Sequence, residues 1–207
     1  MIFDSQLQPI IRLINVHPWP DSQDAALADL DTGQAISVIS VVTPNTTMRA
    51  PGRRLIRSAL REVLGKHLGH SPEMVQLSSA AIHAPKLTLP GHGIGLSVSH
   101  EAGLTLAAIH RHGAIGIDIM RVQALPDWES VAISYLGRHA HQRILAMPPL
   151  QRPFAFGREW TRVEACLKCL GVGLVEWNNL LDNRMNRCET TALALPDGLT
   201  GTIAISA

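Results

Sequence analysis

A glutamate and a lysine stand one helical turn apart in an otherwise apolar segment, Trp160 to Gly171. Glu164 and Lys168 are four residues apart, so they share one face of the helix that this segment predicts. In an arbitrary helix, such a pair indicates an ion pair on a solvated face. Here the neighbours are mostly apolar and leave little solvated face, and burying charge is costly without partners. The segment therefore favours a functional site.

A second acid lies among apolar residues. Asp118 is the one charged residue in the segment from Gly113 to Met120, which predicts a buried strand. An aspartate at the end of such a strand is either a turn cap or a ligand for a metal or substrate. If Asp118 and Glu164 approach each other, they could hold a hard cation such as magnesium, which needs oxygen ligands and keeps several waters.

A third segment places a histidine after a predicted strand. Ile94, Leu96 and Val98 alternate with small or polar residues, which indicates a strand with one buried face. His100 follows, and Gly103 marks a turn. A single histidine at a strand end is usually a hydrogen-bonded surface residue, and it could also donate to a phosphate oxygen.

These segments occur in an order that resembles a known family. Ser99-His100, then Gly116-Ile117-Asp118, then Trp160 through Gly171-Val172-Gly173-Leu174 are similar to the motifs of the 4′-phosphopantetheinyl transferase superfamily. The resemblance is to the larger, surfactin-synthetase-activating type, which serves peptide and polyketide synthases. With the intervening elements it covers residues 45–180.

The resemblance implies a fold and a reaction. The fold would be α/β (α+β), with two similar halves, residues 1–110 and 111–207, related by a pseudo-twofold axis and enclosing the active site at their interface. The reaction would transfer the phosphopantetheine arm of coenzyme A, the co-substrate, to a serine of an acyl or peptidyl carrier protein.

The resemblance also implies roles for individual residues. Asp118 and Glu164 would hold Mg²⁺, with Mn²⁺ as the alternative metal. The implied catalytic residues are Glu164, as the base, with Lys168 and His100, which donate to phosphate oxygens. The implied coenzyme-binding residues are Arg49, Arg53, Lys86, Ser99, His100 and Lys168. Arginine side chains match phosphate geometry, which favours Arg49 or Arg53 near the start of a basic helix.

Two positions depart from the family's pattern. Met120 stands where many members have a glutamate as a further metal ligand, so water would fill that position. Val163 stands where the family has a lysine before the glutamate, which removes a cation, and Arg158 or Arg162 could compensate. These departures support an alternative, a non-catalytic relative that binds coenzyme A or a carrier protein without transfer.

Composition and charge exclude some classes of protein. With 46% hydrophobic and 17% charged residues the chain is typical of a globular protein, and its net charge of +1 favours neither nucleic acid nor membrane as a partner. No signal peptide or membrane-spanning run is visible, so we expect a cytoplasmic protein, and we expect a monomer. Three cysteines give no disulfide framework, and Cys166-x-x-Cys169 predicts core packing rather than a zinc site.

Periodicity and breakers predict the other elements. The sequence predicts strands at 10–16, 94–98, 104–109, 114–119, 191–195 and 202–205, with the three central strands forming a meander. It predicts helices at 21–30, 51–65 and 126–145, the last broken at Gly137, and a loop through Pro153 before the helix of Trp160. Residues 35–42 read as helix or strand, and their β-branching favours a strand. The segment from Ser134 to Arg143 is either a carrier-protein docking surface, as the resemblance implies, or an ordinary amphipathic helix.

Overall fold

The structure, a computed structural model, describes residues 13–45, 49–78, 85–88 and 93–206. Its strands are β1 (His17–Pro18), β2 (Ile36–Val42), β3 (Gly95–Glu101), β4 (Leu104–His110), β5 (Ile115–Arg121), β6 (Cys188–Ala192) and β7 (Leu199–Ser206). Its helices are α1 (Gln23–Asp31), α2 (Arg49–Leu68), α3 (Trp128–Val131), α4 (Arg138–Leu145), α5 (Arg152–Cys169) and α6 (Asn179–Met185). A π-helical turn, Ala132–Leu136, joins α3 to α4 through Gly137.

The strands form two sheets of mixed α/β architecture. The first has the order β1-β2-β4-β3, and the second has the order β5-β7-β6. All described pairs are antiparallel except β1 with β2. Strand β3 therefore lies at an edge of the first sheet and β5 at an edge of the second.

Three apolar clusters fix the order of the layers. The first fills the space between helices α1 and α2 and the first sheet, and includes Leu60 and Ile109. The second lies between the two sheets, where Val38 and Leu106 meet Ile117. The third packs helices α4 and α5 against the second sheet. Both sheets are thus covered on both faces, which explains why their strands read as nearly continuous apolar runs.

The strand predictions need three corrections. The predicted meander is wrong in its third strand, because β5 pairs with β7 rather than with β4. The strand predicted at 10–16 lies partly outside the described residues. Within them, Ile14 forms a single bridge to Leu193 and the paired strand is His17–Pro18. His100 and Asp118 lie inside β3 and β5 rather than at strand ends, because β3 extends three residues and β5 two residues beyond their apolar runs.

The helix predictions are largely confirmed. Helix α1 and the break at Gly137, where φ is 83°, are found as predicted, and residues 36–42 form a strand as their β-branching favours. Pro153 lies in the first turn of helix α5 instead of ending a loop, since proline fits that turn, where its missing N–H needs no partner. Helix α6 was not predicted, although Asn178 caps it by accepting a hydrogen bond from the Leu181 N–H at 2.9 Å.

No helix within the described ranges is long and apolar enough to cross a membrane. The division into halves at residue 110 and the pseudo-twofold relation stay predictions.

Candidate active site

The Asp118 carboxylate forms the centre of a buried polar cluster. Its residue is 8% exposed, and its Oδ1 accepts hydrogen bonds from Ser99 Oγ at 2.8 Å and from Lys168 Nζ at 2.7 Å. The Lys168 ammonium also donates to the carbonyl oxygen of Ile117 at 2.8 Å. The hydrogen bonds from Ser99 and Lys168 both end on Oδ1, and neither ends on Oδ2. The structure thus brings together three residues that the sequence analysis proposed separately.

Helix α5 can deliver Lys168 to Asp118 because Gly116 leaves room for its backbone. A Cβ atom on Gly116 would lie 1.8 Å from the carbonyl oxygen of Ala165 and 2.6 Å from the amide nitrogen of Cys169. Only glycine permits this approach of helix to strand. Asp118 is two residues further along β5, so it faces the same side as Gly116, towards the helix.

Glu164 lies one turn before Lys168 on helix α5 and is half-buried. The spacing of four residues places both side chains on one face of the helix, as the sequence predicts. Val163, in contrast, points into the core between α5 and the other helices and is 2% exposed. The missing lysine is therefore replaced by a core residue.

The two arginines proposed as substitutes for that lysine have other contacts. Arg162 donates to Glu159 on the same helix at 3.2 Å, and the Arg158 guanidinium lies over the ring of Phe154 at 6.0 Å. Each side chain thus has a contact on its own helix that can hold it there.

Ser99 and His100 are neighbours in β3 and point to opposite faces of the strand. Ser99 reaches β5, whereas His100 shares the face of Leu96 and Val98, which packs towards helix α2. The Nδ1 atom of His100 lies 2.9 Å from Thr105 Oγ1 of the paired strand β4, which orients the imidazole.

The first turn of helix α2 comes close to His100. A Cβ on Gly52 would lie 2.7 Å from Thr105 Oγ1 and 3.2 Å from His100 Nδ1, so glycine is needed for this approach as well. Arg53, which follows, is exposed, and Arg49 begins the helix. This arrangement supports the prediction that the start of α2 lies near the site. Among the other arginines of α2, Arg57 has a structural contact, since it donates to the carbonyl oxygen of Leu77 at 2.9 Å.

Lys86 lies in a short segment that pairs with the residues around Leu77. Its residue is exposed, its backbone pairs with that of Ser78, and the neighbouring Leu87 forms a single bridge to Leu77. None of the described contacts of Lys86 joins it to the Asp118 cluster, and its role with coenzyme A stays a prediction. His83 and Ala84, which precede it, lie outside the described residues.

The donor set fits a magnesium ion that keeps most of its water. No group of three or more histidine, cysteine or acidic side chains in the described part of the chain is arranged to hold a metal. Two carboxylates with water and substrate phosphate are what Mg²⁺ commonly uses. Met120 adds no oxygen ligand and is half-buried against helix α5, with its sulfur 4.0 Å from the Cβ position of Gly157. The chemistry of the Asp118 and Glu164 carboxylate oxygens therefore fits the ion.

Cys166 and Cys169 are buried in helix α5, and the half-buried Cys188 of strand β6 lies beside them. Burial, together with the neighbouring Cys188 thiol, raises the pKa of the Cys166 and Cys169 thiols to about 12. Both are free thiols in the core, as the sequence predicts.

Several residues of the site were missed by the sequence analysis. Ser97 and Glu101 of β3 accept hydrogen bonds from the backbone N–H groups of Ile117 and Arg121 of β5, at 3.0 Å each. Thr105 was missed as the partner of His100. A signal was present, since Ser97, Ser99 and Glu101 occupy alternate positions opposite the apolar face of the strand.

Part of the chain matches a known protein family. Residues 114–201, which include Asp118, Glu164 and Lys168, match the sequence model of the 4′-phosphopantetheinyl transferase superfamily. The chain is therefore similar to this superfamily over that segment. The larger surfactin-synthetase-activating type is a finer assignment that these matches leave open.

Two relatives of the chain are named 4′-phosphopantetheinyl transferases. The chain is 30% identical over 122 residues to the 4′-phosphopantetheinyl transferase HetI of Nostoc sp., an alignment that covers 58% of this chain and 52% of HetI. It is 27% identical over 147 residues to the 4′-phosphopantetheinyl transferase AcpT of Salmonella typhimurium, covering 70% of this chain and 71% of AcpT. The match to HetI thus spans about half the length of that relative.

Proposed function

We propose that this protein transfers the 4′-phosphopantetheine arm of coenzyme A to a serine of an acyl or peptidyl carrier protein. The observation that carries the proposal is the buried Asp118 carboxylate, fixed by Ser99 and Lys168 inside the matched segment. A buried carboxylate held by a lysine beside a second acid suits a reaction at a phosphate centre, where positioning and charge neutralisation dominate.

The reaction forms one bond and breaks one. The serine oxygen of the carrier attacks the phosphorus that bears the pantetheine arm. The bond from that phosphorus to the bridging oxygen breaks, and its electron pair leaves with adenosine 3′,5′-bisphosphate. Glu164 is the proposed base for the serine proton, since its carboxylate lies on the same helix face as Lys168.

Asp118 and Glu164 would hold Mg²⁺, or Mn²⁺, at this site. When bound, the ion supplies a Lewis acid that neutralises charge on the pyrophosphate. The two carboxylates would position it, and Lys168 adds a positive charge at Asp118.

The start of helix α2 is the proposed site for the other phosphate groups of coenzyme A. Arg49 and Arg53 are at the first turn of a 20-residue helix, where unpaired N–H groups favour anions. His100 lies next to this turn and can donate to a phosphate oxygen. Ser99 and Lys86 complete the proposed coenzyme-binding set, and we propose the larger two-half type for the whole enzyme.

The carrier protein is proposed to dock at α4 and the turn before it. Arg138 and His139 are exposed there, which suits an acidic partner, and Ile133 is 46% exposed. Leu136 and Ile144 of the same segment are buried in the core, so they stabilise the fold and do not contact a partner. Arg143 is bound to Glu159 at 2.9 Å.

Intact-mass spectrometry tests the function directly. The protein is incubated with coenzyme A, magnesium and a panel of apo carrier proteins. We expect one carrier to gain a single phosphopantetheine arm, and we expect chelation of the metal to prevent the gain. Coenzyme A binding without a gain on any carrier would instead indicate a non-catalytic relative.

A further inference from the structure

The two sheets are joined at β3 and β5 by side chains instead of a backbone ladder. Backbone N–H groups of Ile117 and Ile119 donate to Ser97 Oγ at 3.0 Å and to Ser99 Oγ at 3.2 Å. The N–H of Arg121 donates to Glu101 Oε2 at 3.0 Å. Both strands advance by two residues per bond, so they run parallel, and side-chain oxygens replace the carbonyls of a normal ladder.

Ser97 and Ser99 occupy equivalent positions in this contact between β3 and β5, and their hydrogen bonds differ by one. Both are buried, with 1% and 4% of their surface exposed, and both accept from an N–H of β5. Only Ser99 also donates to Asp118 Oδ1, at 2.8 Å. A hydroxyl has a single proton to donate. The backbone of β5 thus places the Ser99 oxygen, and its proton is directed at the carboxylate.

The contact constrains a torsion that is otherwise soft. Rotation of an aspartate carboxylate about its last bond has broad minima, so the group needs a partner to hold its orientation. Lys168 binds the same Oδ1 atom, but its ammonium sits at the end of a long, flexible side chain. Ser99 has one short torsion and a fixed oxygen, and it is therefore the more rigid of the two donors.

We propose that Ser99 is a positioning residue for metal binding, which holds Oδ1 of Asp118 so that Oδ2 is presented to the divalent cation. This inference rests on the proposed function, because it takes Asp118 as a metal ligand. Hydrogen-bond partners of ligating side chains commonly change metal affinity by 10- to 100-fold when removed. Ser97 should have no such effect.

The test compares two serine-to-alanine variants in the full chain. Mn²⁺ binding alone is measured by calorimetry and by the EPR signal of the free ion, and unfolding is measured by thermal denaturation. Ser97→Ala and Ser99→Ala each leave one buried N–H of β5 without its acceptor, so both should lower Tm, and Ser99→Ala should lower it more because the bond to the Asp118 carboxylate is also lost. Only Ser99→Ala should weaken Mn²⁺ binding, by about tenfold or more.

A second variant keeps the test decisive if Ser99→Ala does not fold. Ser99→Cys keeps the size of the side chain and a weaker donor, so we expect its Mn²⁺ affinity to fall between those of wild type and Ser99→Ala. If Ser99→Ala does not fold, equal Mn²⁺ affinity in wild type and Ser99→Cys would overturn the positioning role.

The outcomes separate this inference from the proposed function. If the wild type modifies a carrier and binds Mn²⁺, but Ser99→Ala binds it as tightly as Ser97→Ala, the positioning role alone is wrong. If the wild type neither binds Mn²⁺ nor modifies any carrier, both proposals are wrong.

Discussion

Two donors converge on one oxygen of Asp118, and this convergence gives the residue two separate tasks. Ser99 and Lys168 share Oδ1, so the carboxylate links strand β3 to helix α5. In the proposed reaction the same carboxylate is a metal ligand. Replacing Asp118 should therefore affect both the stability of the fold and the rate of transfer.

Asp118→Ala should lower the rate of phosphopantetheine transfer at least about 100-fold, the effect of removing one charged group from a preorganised site. The free energy of unfolding should fall by about 2 kcal/mol, because the hydrogen bonds to a charged group are lost. Intact-mass time courses and urea denaturation measure the two effects. Glu189→Ala is the matched control, since this carboxylate is exposed on strand β6. Transfer within threefold of wild type by Asp118→Ala would remove Asp118 from the mechanism.

Val163 is the departure from the family pattern that the structure explains best. Its side chain is 2% exposed in an apolar cluster, so a lysine there would place a charge in the core. Val163→Lys should lower the free energy of unfolding by about 4 kcal/mol, the range of a buried unpaired charge. Val163→Ala, which only removes volume, should lose about 2 kcal/mol. Urea denaturation separates them, and a stable, faster Val163→Lys enzyme would show that the lysine can reach the site.

At the scale of elements, the contact between α5 and β5 depends on the absence of one side chain. The carbonyl of Ala165 occupies the space that a Cβ on Gly116 would need. The glycine of the Gly-Ile-Asp pattern therefore has a structural reason, because it brings the helix close enough for Lys168 to reach Asp118.

Gly116→Ala should move helix α5 away from β5 and lower the free energy of unfolding by about 3 kcal/mol. Gly173→Ala is the control, because its Cβ would meet no atom within 4 Å, and it should change stability by less than about 0.5 kcal/mol. Thermal and urea denaturation of both variants check this. Equal stability of the two variants would mean that α5 can shift at no cost.

Sequence periodicity predicts elements well where one face is apolar, and less well where both are. The helical spacing of Ile56, Leu60 and Val63 predicted the buried face of α2, and all three are buried. The prediction that failed is the pairing of β5, which was placed next to β4 because sequential strands usually pair. Its true neighbour β7 follows about 80 residues later, a pairing that no local pattern indicates.

The residues of the candidate site also differ in how far the sequence can predict them. Asp118, Glu164 and Lys168 could be singled out because isolated charges in apolar segments are unusual. The bond from Ser99 to Asp118 could not, since it depends on the register between two edge strands that do not form a ladder. Tertiary packing determines a contact of this kind. The residue pattern of a single strand indicates only which face of the strand each side chain occupies.

At the scale of the whole molecule, unfolding exposes thiols that the folded protein keeps neutral. Cys166 and Cys169 have pKa values raised to about 12 by burial and by Cys188, against an ordinary value of 9.0. Above pH 9 the unfolded chain loses these protons and the folded chain keeps them. Stability from this source is therefore complete below pH 9 and declines as the pH rises towards 12.

The free energy of unfolding should accordingly fall between pH 8 and pH 10.5, as measured by urea denaturation across that range. Cys169→Ala should fall less steeply than wild type over the same interval, because one of the two linked protons is gone. Parallel curves for the two proteins would assign the decline to other groups, such as tyrosine and lysine side chains.

In strand β3, two adjacent residues contact different parts of the molecule. The hydroxyl of Ser99 contacts the second sheet, and the imidazole of the next residue, His100, faces helix α2. A single codon inserted between Ser99 and His100 would turn both side chains to the same face and reverse every later residue of the strand. A codon inserted in the Ala102–Gly103 turn would leave both in place. The gene should therefore tolerate changes of length at the hairpin and reject them inside the strand.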